Sequence, residues 1–325
     1  MEEQTLRRIF QELCERLQTK GKELLFPDQS RKAVLDQTLF QKIPPKKTQQ
    51  SITFIDAGNA ELVSSPSFSL QMIRLCATTY EGREAKENKA KEFFVLIVLQ
   101  EKENTFCYTI STFGADYQFP SYHAFDPLLT QGKHRATPQV ITDHVRTLSE
   151  LFFMQELQGE ILIRDGDLDL IHEEEKRMLK ALIATKKIGG LAKTNSVITN
   201  TGNSAAPVLQ HLAPKGTWWY PLGKDERGIF SFFVKLHPLS EYIFRLDLHE
   251  GHPEEILSSL EEISKDPLFL GYPYALLAAD RYARISNQEK EMMIMKFLTL
   301  AGKDALILKP YLRTQDAHAL LDKVS

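Results

Sequence analysis

The chain has 325 residues, of which 42% are hydrophobic and 26% are charged. This composition is typical of globular proteins and excludes collagen-like, low-complexity and intrinsically disordered chains. The 40 Lys and Arg residues against 43 Asp and Glu residues give a net charge of −3. The charge argues against a protein that binds nucleic acid over its whole surface.

Three features of the sequence predict the compartment. The longest apolar run, 93–99, has the length of a strand and is far shorter than the ~20 residues of a membrane span. The N-terminus reads MEEQTLRRIF and has no apolar signal-peptide segment. The three cysteines are too scattered for a disulfide framework or a cysteine-based zinc site: Cys14, Cys76 and Cys107. We therefore expect a reduced, cytoplasmic protein.

The first 50 residues differ in pattern from the rest of the chain. Apolar residues at helical spacing predict a helix over 2–20, with one face formed by Leu6, Ile9, Phe10, Leu13 and Leu17. That face packs either on its own domain or on a second copy or partner. The segment IPPKKTQQ at 43–50 predicts a linker. The predicted division is residues 1–50, a helix and linker, and residues 51–325, one mixed α/β domain.

The remaining elements follow from hydrophobic periodicity and from turn signals. Strands are predicted over 51–56, 69–80, 92–100, 105–112, 160–164, 188–193, 229–236 and 241–248, the last two forming a hairpin. Helices are predicted over 138–157, 171–187, 253–264, 273–286, 288–300 and 315–323. The polar run 81–91 predicts a turn or hairpin tip, and 194–228 is predicted to be mostly irregular.

This order of elements is that of a ribonuclease-H-like core, an α/β fold with a mixed sheet flanked by helices. Asp56 ends the first predicted strand, and Asp165 ends the strand after the first helix of the core. Those two strands lie side by side in this fold, so the two carboxylates are expected to meet. An Asp before Gly at one strand end is usually a turn residue. Two at neighbouring strand ends predict a Mg²⁺ or Mn²⁺ site, because bound cations relieve the repulsion between the acids.

Four motifs in the same order resemble those of one known family. The motifs read FIDAGNAEL, ILIRDGDL, GLAKTNSV and GYPYALLAADRYARIS, and together they span about residues 50–290. They resemble the NurA nucleases, which work with the hexameric HerA ATPase in DNA end processing. The resemblance implies a metal-dependent nuclease, usually favouring manganese, that acts on single strands and duplex ends with one or two ions.

The resemblance also implies an acidic tetrad. Asp56 and Asp165 are carried over as the two ligands at strand ends, and Glu150 as the acid on the intervening helix, with Glu156 as its rival. The family tends to have Ala-His at the last position, whereas this chain has Ala279-Asp280. Asp280 is either the fourth ligand or the partner of a neighbouring arginine, in which case the activity is altered.

Two further polar groups need an interpretation. Lys193 either stabilises phosphate and developing negative charge or is simply solvated. His249 and His252 have the content of a metal site, but their spacing beside Pro253 is more typical of a polar loop.

Aromatic residues interleaved with basic ones predict contacts with a single strand. The two stretches, 117–135 and 215–227, supply the candidates Tyr122, Lys133, Arg135, Trp218 and Trp219, and Tyr274 beside Tyr272 precedes the Asp280 helix. The alternative is that these aromatics pack within their own loops.

The expected partners are DNA, a HerA-type hexameric ATPase and a second copy of the chain, with no membrane contact. The sequence has no GxxxxGK[ST] loop, so no ATP hydrolysis by that route is expected. The near-balanced charge predicts weak DNA affinity for the isolated chain. One alternative is a catalytically weak scaffold that binds DNA or the ATPase. Another is an actin-like ATPase, which the length of the chain disfavours.

Overall fold

The computed structural model describes residues 2–17, 21–27, 31–45, 50–130, 132–249, 253–307 and 310–311. Its helices are α1 Glu2–Arg16, α2 Pro138–Glu156, α3 Glu173–Ile183, α4 Ala205–Leu212, α5 Pro253–Ile263, α6 Tyr274–Ala283 and α7 Asn287–Ala301. Its strands are β1 Glu23–Leu25, β2 Lys32–Val34, β3 Gln41–Lys42, β4 Ser51–Ser65, β5 Phe68–Glu81, β6 Glu84–Lys102, β7 Thr105–Phe113, β8 Tyr122–His123, β9 Ile161–Asp165, β10 Lys187–Ala192, β11 Ile198–Thr199, β12 Trp218–Lys224, β13 Ile229–Lys235 and β14 Phe244–His249. The helix predicted over 315–323 lies outside the described residues.

The main sheet is mixed. Its described strands follow the order β3-β12-β13-β14-β10-β9-β4-β5-β6-β7-β8. β9 runs parallel to both β4 and β10, whereas the other neighbours are antiparallel. Because β9 is covered on both faces, its sequence is continuously apolar up to Arg164. The three parallel strands β4, β9 and β10 lie in the middle of the sheet, and they run in the same direction.

Helices cover both faces of this sheet. On one face, α2 and α3 bury a core that includes Ile55, Leu162 and Leu179. On the other, α5 and α6 bury a core that includes Phe54 and Ile163. Successive side chains of a strand point to opposite faces, which explains why neighbours along β4 and β9 belong to different cores. The predicted fold class, a mixed sheet flanked by helices in ribonuclease-H-like order, is confirmed.

The first hairpin is longer than predicted. β4 continues to Ser65 instead of ending at Asp56, and β6 begins at Glu84 instead of residue 92. The run 81–91, predicted as a turn or hairpin tip, does contain the turn that joins β5 to β6 at 82–83, but the prediction is wrong for 84–91, which belong to β6. The first residues of β6 are exposed, so the strand carries polar side chains on both faces and lacks the alternation that marks a half-buried strand. Backbone pairing with β5 holds it in place.

The segment 194–228 is also more ordered than predicted. It contains α4 and β12, and β12 lies within the main sheet beside β13. Pro221 and Gly223 interrupt the apolar pattern of β12 at the point where its register with β13 shifts. These two residues are typical of a turn, which is why the sequence did not predict this strand.

The N-terminal segment contributes to two sheets. β1 pairs with β2 and β11 in a separate three-stranded sheet, and β3 extends the main sheet at β12. Leu24, Phe26 and Phe40 pack in one core with Trp218. The domain boundary at residue 50 stays a prediction, and half of the linker, 46–49, lies outside the described residues.

α1 is the exception within this segment. It buries none of its residues, and Leu6, Ile9, Phe10, Leu13 and Leu17 are 48% to 67% exposed. The reading in which this face packs on its own domain is therefore wrong. None of the helices in the described part of the chain has both the length and the apolarity that a membrane span requires.

Candidate metal centre

Three aspartates from three different elements meet at the carboxyl end of the central strand β9. Asp56 lies within β4, Asp165 ends β9, and Asp280 belongs to α6. One carboxylate oxygen from each lies within 4.8 Å of the others. Asp56 is only 8% exposed, and the other two are half-buried. The predicted convergence of these acids is present, while their role as ligands stays a prediction.

The register of β4 and β9 explains the first pair. Their parallel pairing ends with Ile55 opposite Arg164, so Asp56 and Asp165 each follow the last pair by one residue. Side-chain alternation then turns both aspartates toward the face that α6 covers and turns Arg164 toward α2. The two carboxylates therefore meet because two strands in register diverge at the same point.

A close approach of α6 brings the third aspartate. A Cβ atom at Gly58 would collide with the carbonyl oxygen of Ala283, so the end of α6 reaches β4 only because residue 58 is glycine. Thr78 donates to the carbonyl of Ala275 at 3.0 Å, and Arg74 donates to the carbonyl of Arg284 at 3.0 Å. These contacts hold both ends of α6 against β5.

Hydrogen bonds and a close backbone contact also fix the turn after β9. Gly166 has a φ of +125°, which favours glycine, and its N–H donates to the carbonyl of Leu191. A Cβ atom at Gly190 would collide with the carbonyl oxygen of Gly166. The Leu168 N–H donates to the buried carboxylate of Asp247 at 3.0 Å, and Arg245 binds the same carboxylate. Asp165 thus precedes a rigid turn.

The centre disfavours negative charge when no cation is bound. Burial raises the pKa of Asp56 to about 8, and the charges of Glu150, Asp165 and Asp280 add to this effect. The N–H of Ala57, which donates to Asp56, acts in the other direction. Asp56 is consequently protonated over much of the neutral range, which is the expected behaviour of one acid among several.

Lys193 is the cation nearest to the aspartates. Its Nζ lies 2.5 Å from Asp165 Oδ2 and 3.7 Å from Asp280 Oδ1. Burial lowers the pKa of Lys193, but the bond to Asp165 and the neighbouring aspartates outweigh that effect and raise it overall. The ammonium group also lies 5.3 Å from the centre of the Tyr272 ring. The ion pair excludes the simply solvated reading of Lys193; its part in phosphate binding stays a prediction.

The two candidate glutamates of α2 lie in different surroundings. Glu150 is fully buried and binds Arg164 and Arg146, and it is not among the three acids whose ligand atoms converge. Glu156, its rival, pairs with Lys91 at 2.7 Å on the surface. The structure therefore places Glu150 beside the centre and Glu156 away from it.

The donor set fits a hard divalent cation. Three carboxylates within reach of one another supply the oxygen ligands that Mg²⁺ and Mn²⁺ prefer. The Tyr272 hydroxyl is buried, makes no hydrogen bond among the described residues, and lies close enough to Asp165 for that charge to raise its pKa, after the effect of burial. A cleft of about 370 Å³ opens onto Asp56 and Asp280. A cation and a substrate therefore have both ligands and access.

The predicted nucleic-acid contacts divide into buried and exposed residues. Trp218 is fully buried, and Tyr122 is 5% exposed, so neither ring offers a face on which a base stacks. This corrects the sequence-based prediction for both residues. Trp219 is half-buried and packs edge-on against Phe232. All three rings pack against residues from outside their own stretches, so the alternative of packing within their own loops is not met either.

The remaining candidates are accessible. Lys133 and Arg135 are exposed, and Arg135 donates to the carbonyl of Pro66 at 2.9 Å. Tyr274 is 38% exposed at the start of α6, where it lines a second cleft together with Tyr80. His249 ends β14, but His252 lies outside the described residues. Binding of nucleic acid by these residues stays a prediction.

Sequence reasoning missed the arginines around Glu150. Arg164 interrupts an otherwise apolar strand, and Arg146 stands one helical turn before Glu150, a spacing typical of ion pairs. Both signals were present in the sequence. The two signals identify a buried ion pair only when they are considered together, because a buried arginine requires a partner of opposite charge.

No family model matches this sequence, and no curated protein matches it. The mixed sheet, its flanking helices and the element order define a ribonuclease-H-like fold. Among solved structures, the NurA nuclease from Sulfolobus solfataricus has this fold at 12% identity, with 82% of this chain and 88% of that chain covered and a TM-score of 0.53. Human Endonuclease V (13% identity, 80% and 94% covered, TM-score 0.41) and Marinitoga piezophila Argonaute (10%, 74% and 31%, 0.34) are more distant. The likeness to NurA shows the fold.

Proposed function

We propose that the protein is a metal-dependent nuclease that hydrolyses phosphodiester bonds of DNA, in single strands and at duplex ends. The observation that carries this proposal is the convergence of Asp56, Asp165 and Asp280 within 4.8 Å at the edge of a ribonuclease-H-like sheet. The fold likeness to a NurA nuclease and the four sequence motifs support it.

The roles of the residues follow from their chemistry. The three aspartates hold Mn²⁺ or Mg²⁺, which when bound activates water and stabilises the leaving oxygen of the phosphodiester. Lys193 binds a phosphate oxygen once its carboxylate partners bind a cation, and its nearness to Asp165 and Asp280 supports this role. Asp280, whose side chain is 47% exposed, lines the cleft, and the nucleic acid reaches the aspartates through this cleft.

The proposed partners are a HerA-type hexameric ATPase and a second copy of the chain, in DNA end processing, repair or defence. The exposed apolar face of α1 supports a protein contact, since five large apolar side chains are presented to water on one helix. The sequence lacks a GxxxxGK[ST] loop, so a separate ATPase is the natural source of strand opening.

End-labelled single-stranded and duplex DNA, incubated with the full chain and Mn²⁺, tests the activity. We expect Asp56→Ala to lower the cleavage rate at least about a hundredfold, because it removes a ligand. Glu156→Gln is the matched control, since Glu156 pairs with Lys91 away from the centre, and it retains the wild-type rate. Cleavage that survives Asp56→Ala refutes the proposal.

A second candidate function is a catalytically weak scaffold that binds DNA or the ATPase. The bridge from Lys193 to Asp165 and Asp280 favours it, because an internal cation already neutralises part of the centre. Cleavage assays with and without the hexameric ATPase separate the two functions. Activity with the ATPase identifies an enzyme, whereas DNA binding without cleavage under any divalent metal identifies a scaffold.

A further inference from the structure

Glu150, the acid expected to complete the metal site, has both carboxylate oxygens bound by arginines. Its Oε2 accepts a hydrogen bond from Arg164 Nε at 2.9 Å and lies 2.7 Å from Nη2 of the same guanidinium. Its Oε1 accepts from Arg146 Nη1 at 3.2 Å. Glu150 is fully buried and Arg164 nearly so. A cation that took Glu150 as a ligand would leave a buried guanidinium without its counter-charge, which is strongly unfavourable.

The two arginines connect Glu150 to the backbone beside the aspartates. Arg146 Nη1 also donates to the carbonyl of Ala57, the residue after Asp56, at 3.2 Å. Arg164 Nη1 donates to the carbonyl of Asp167, in the turn after Asp165, at 3.0 Å. Besides the direct effect of its charge on Asp56, Glu150 therefore holds the backbone at both strand ends through the arginines, from the α2 face of the sheet.

The charges around the centre nearly balance even when all of its acids are ionised, as they are once a cation binds. Four carboxylates, those of Asp56, Glu150, Asp165 and Asp280, stand against three cationic side chains, those of Arg146, Arg164 and Lys193. One divalent cation turns the remaining charge of −1 into +1, whereas two would leave +3 in a partly buried site. Such an excess is unfavourable where the effective dielectric constant is low.

From this geometry and charge we propose that the centre holds a single divalent cation on Asp56, Asp165 and Asp280. Lys193 supplies the positive charge that a second ion would bring, and Glu150 is a positioning residue that holds both strand ends through Arg146 and Arg164. This inference rests on the proposed function only in that the aspartates bind a cation.

The test counts bound Mn²⁺ from the electron paramagnetic resonance signal of free Mn²⁺ during titration of the full chain. We expect one ion per chain for the wild type. Glu150→Gln keeps that count, with affinity lowered by no more than about tenfold, as for an outer-shell partner. Asp165→Asn loses the ion. Two ions in the wild type, or loss of the ion in Glu150→Gln, overturns the inference.

Two further variants keep the test decisive. Glu150→Gln risks unfolding because it leaves Arg164 unpaired, so the double variant Glu150→Gln/Arg164→Met removes both charges and is expected to keep one ion. Lys193→Met removes a neighbouring positive charge and is expected to tighten Mn²⁺ binding about tenfold; weaker binding contradicts the role of Lys193. A wild-type chain that binds no Mn²⁺ refutes the proposed function itself, whereas two ions refute only the single-cation inference.

Discussion

Lys193 Nζ lies 2.5 Å from Asp165 Oδ2, so the cation-free centre contains an internal ion pair. Burial and the neighbouring acids raise the pKa of Asp56 to about 8. Binding of a divalent cation therefore has to displace a proton from Asp56 and compete with the ammonium group of Lys193 at Asp165.

Cation binding should release a proton at neutral pH. Because the pKa of Asp56 is about 8 without a cation, Mn²⁺ binding at pH 7 is expected to release close to one proton, and affinity should rise with pH up to about 8. Calorimetric titrations in two buffers with different ionisation enthalpies measure the release. The same titrations with Mg²⁺ at about pH 9, where most of Asp56 has already lost its proton, serve as the control. Binding heats independent of the buffer in the wild type would refute this prediction.

Asp56 should also make the stability of the cation-free protein depend on pH. Its folded-state pKa lies above the usual value of 3.8, so its favourable contribution is complete below about pH 4 and is lost as pH rises through 8. We expect the free energy of unfolding of Asp56→Asn, relative to wild type, to increase by a few kcal/mol from about pH 4 to pH 8.5. Urea unfolding across this range gives the comparison; parallel pH curves for the two proteins would contradict it.

Trp218 should prove to be a core residue. It is fully buried and makes an edge contact with Phe40 at 4.9 Å, within the core that joins the N-terminal strands to β12. Trp218→Ala is expected to cost about 3–5 kcal/mol of folding free energy, and Trp218→Phe considerably less. Chemical denaturation measures both. A Trp218→Ala protein of wild-type stability with weakened DNA binding would instead identify a stacking residue.

Gly58 should be required for the aspartate centre. Gly58→Ala places a Cβ against the carbonyl of Ala283 and pushes α6, with Asp280, away from β4. We expect Mn²⁺ affinity to fall at least about tenfold. Gly159→Ala is the matched control, because its Cβ meets the flexible end of Leu162 at the opposite end of β9. Equal effects of the two substitutions on Mn²⁺ affinity would show that the close approach has no special role.

The apolar face of α1 should control assembly rather than folding. Phe10 and Leu13 are 67% and 48% exposed, so Phe10→Glu/Leu13→Glu removes no buried contact among the described residues. We expect the double variant to shift the protein from dimer to monomer with an unchanged melting temperature. Sedimentation and thermal unfolding measure the two quantities, and Gln4→Glu on the same helix is the charge control. A wild-type protein that is already monomeric would rule out the dimer.

Much of the fold followed from local pattern. The apolar run of β9 and the spacing of α2 identified the central strand and its covering helix, because burial imposes periods of 2 and 3.6 residues on any sequence. The long hairpin of β5 and β6 did not follow. Its outer half is exposed and is stabilised by backbone pairing, which leaves little trace in the pattern of side chains.

The sequence by itself determined that Asp56 and Asp165 each follow a short apolar segment, and the order of the elements predicted that these segments lie side by side. It did not determine which other charges join them. Only the tertiary structure brought Asp280 against β4, bound Glu150 to two arginines and buried Trp218. The physical reason is that an apolar segment is visible in its own residues, whereas strand register, ion pairing and burial depend on contacts between residues far apart in the chain.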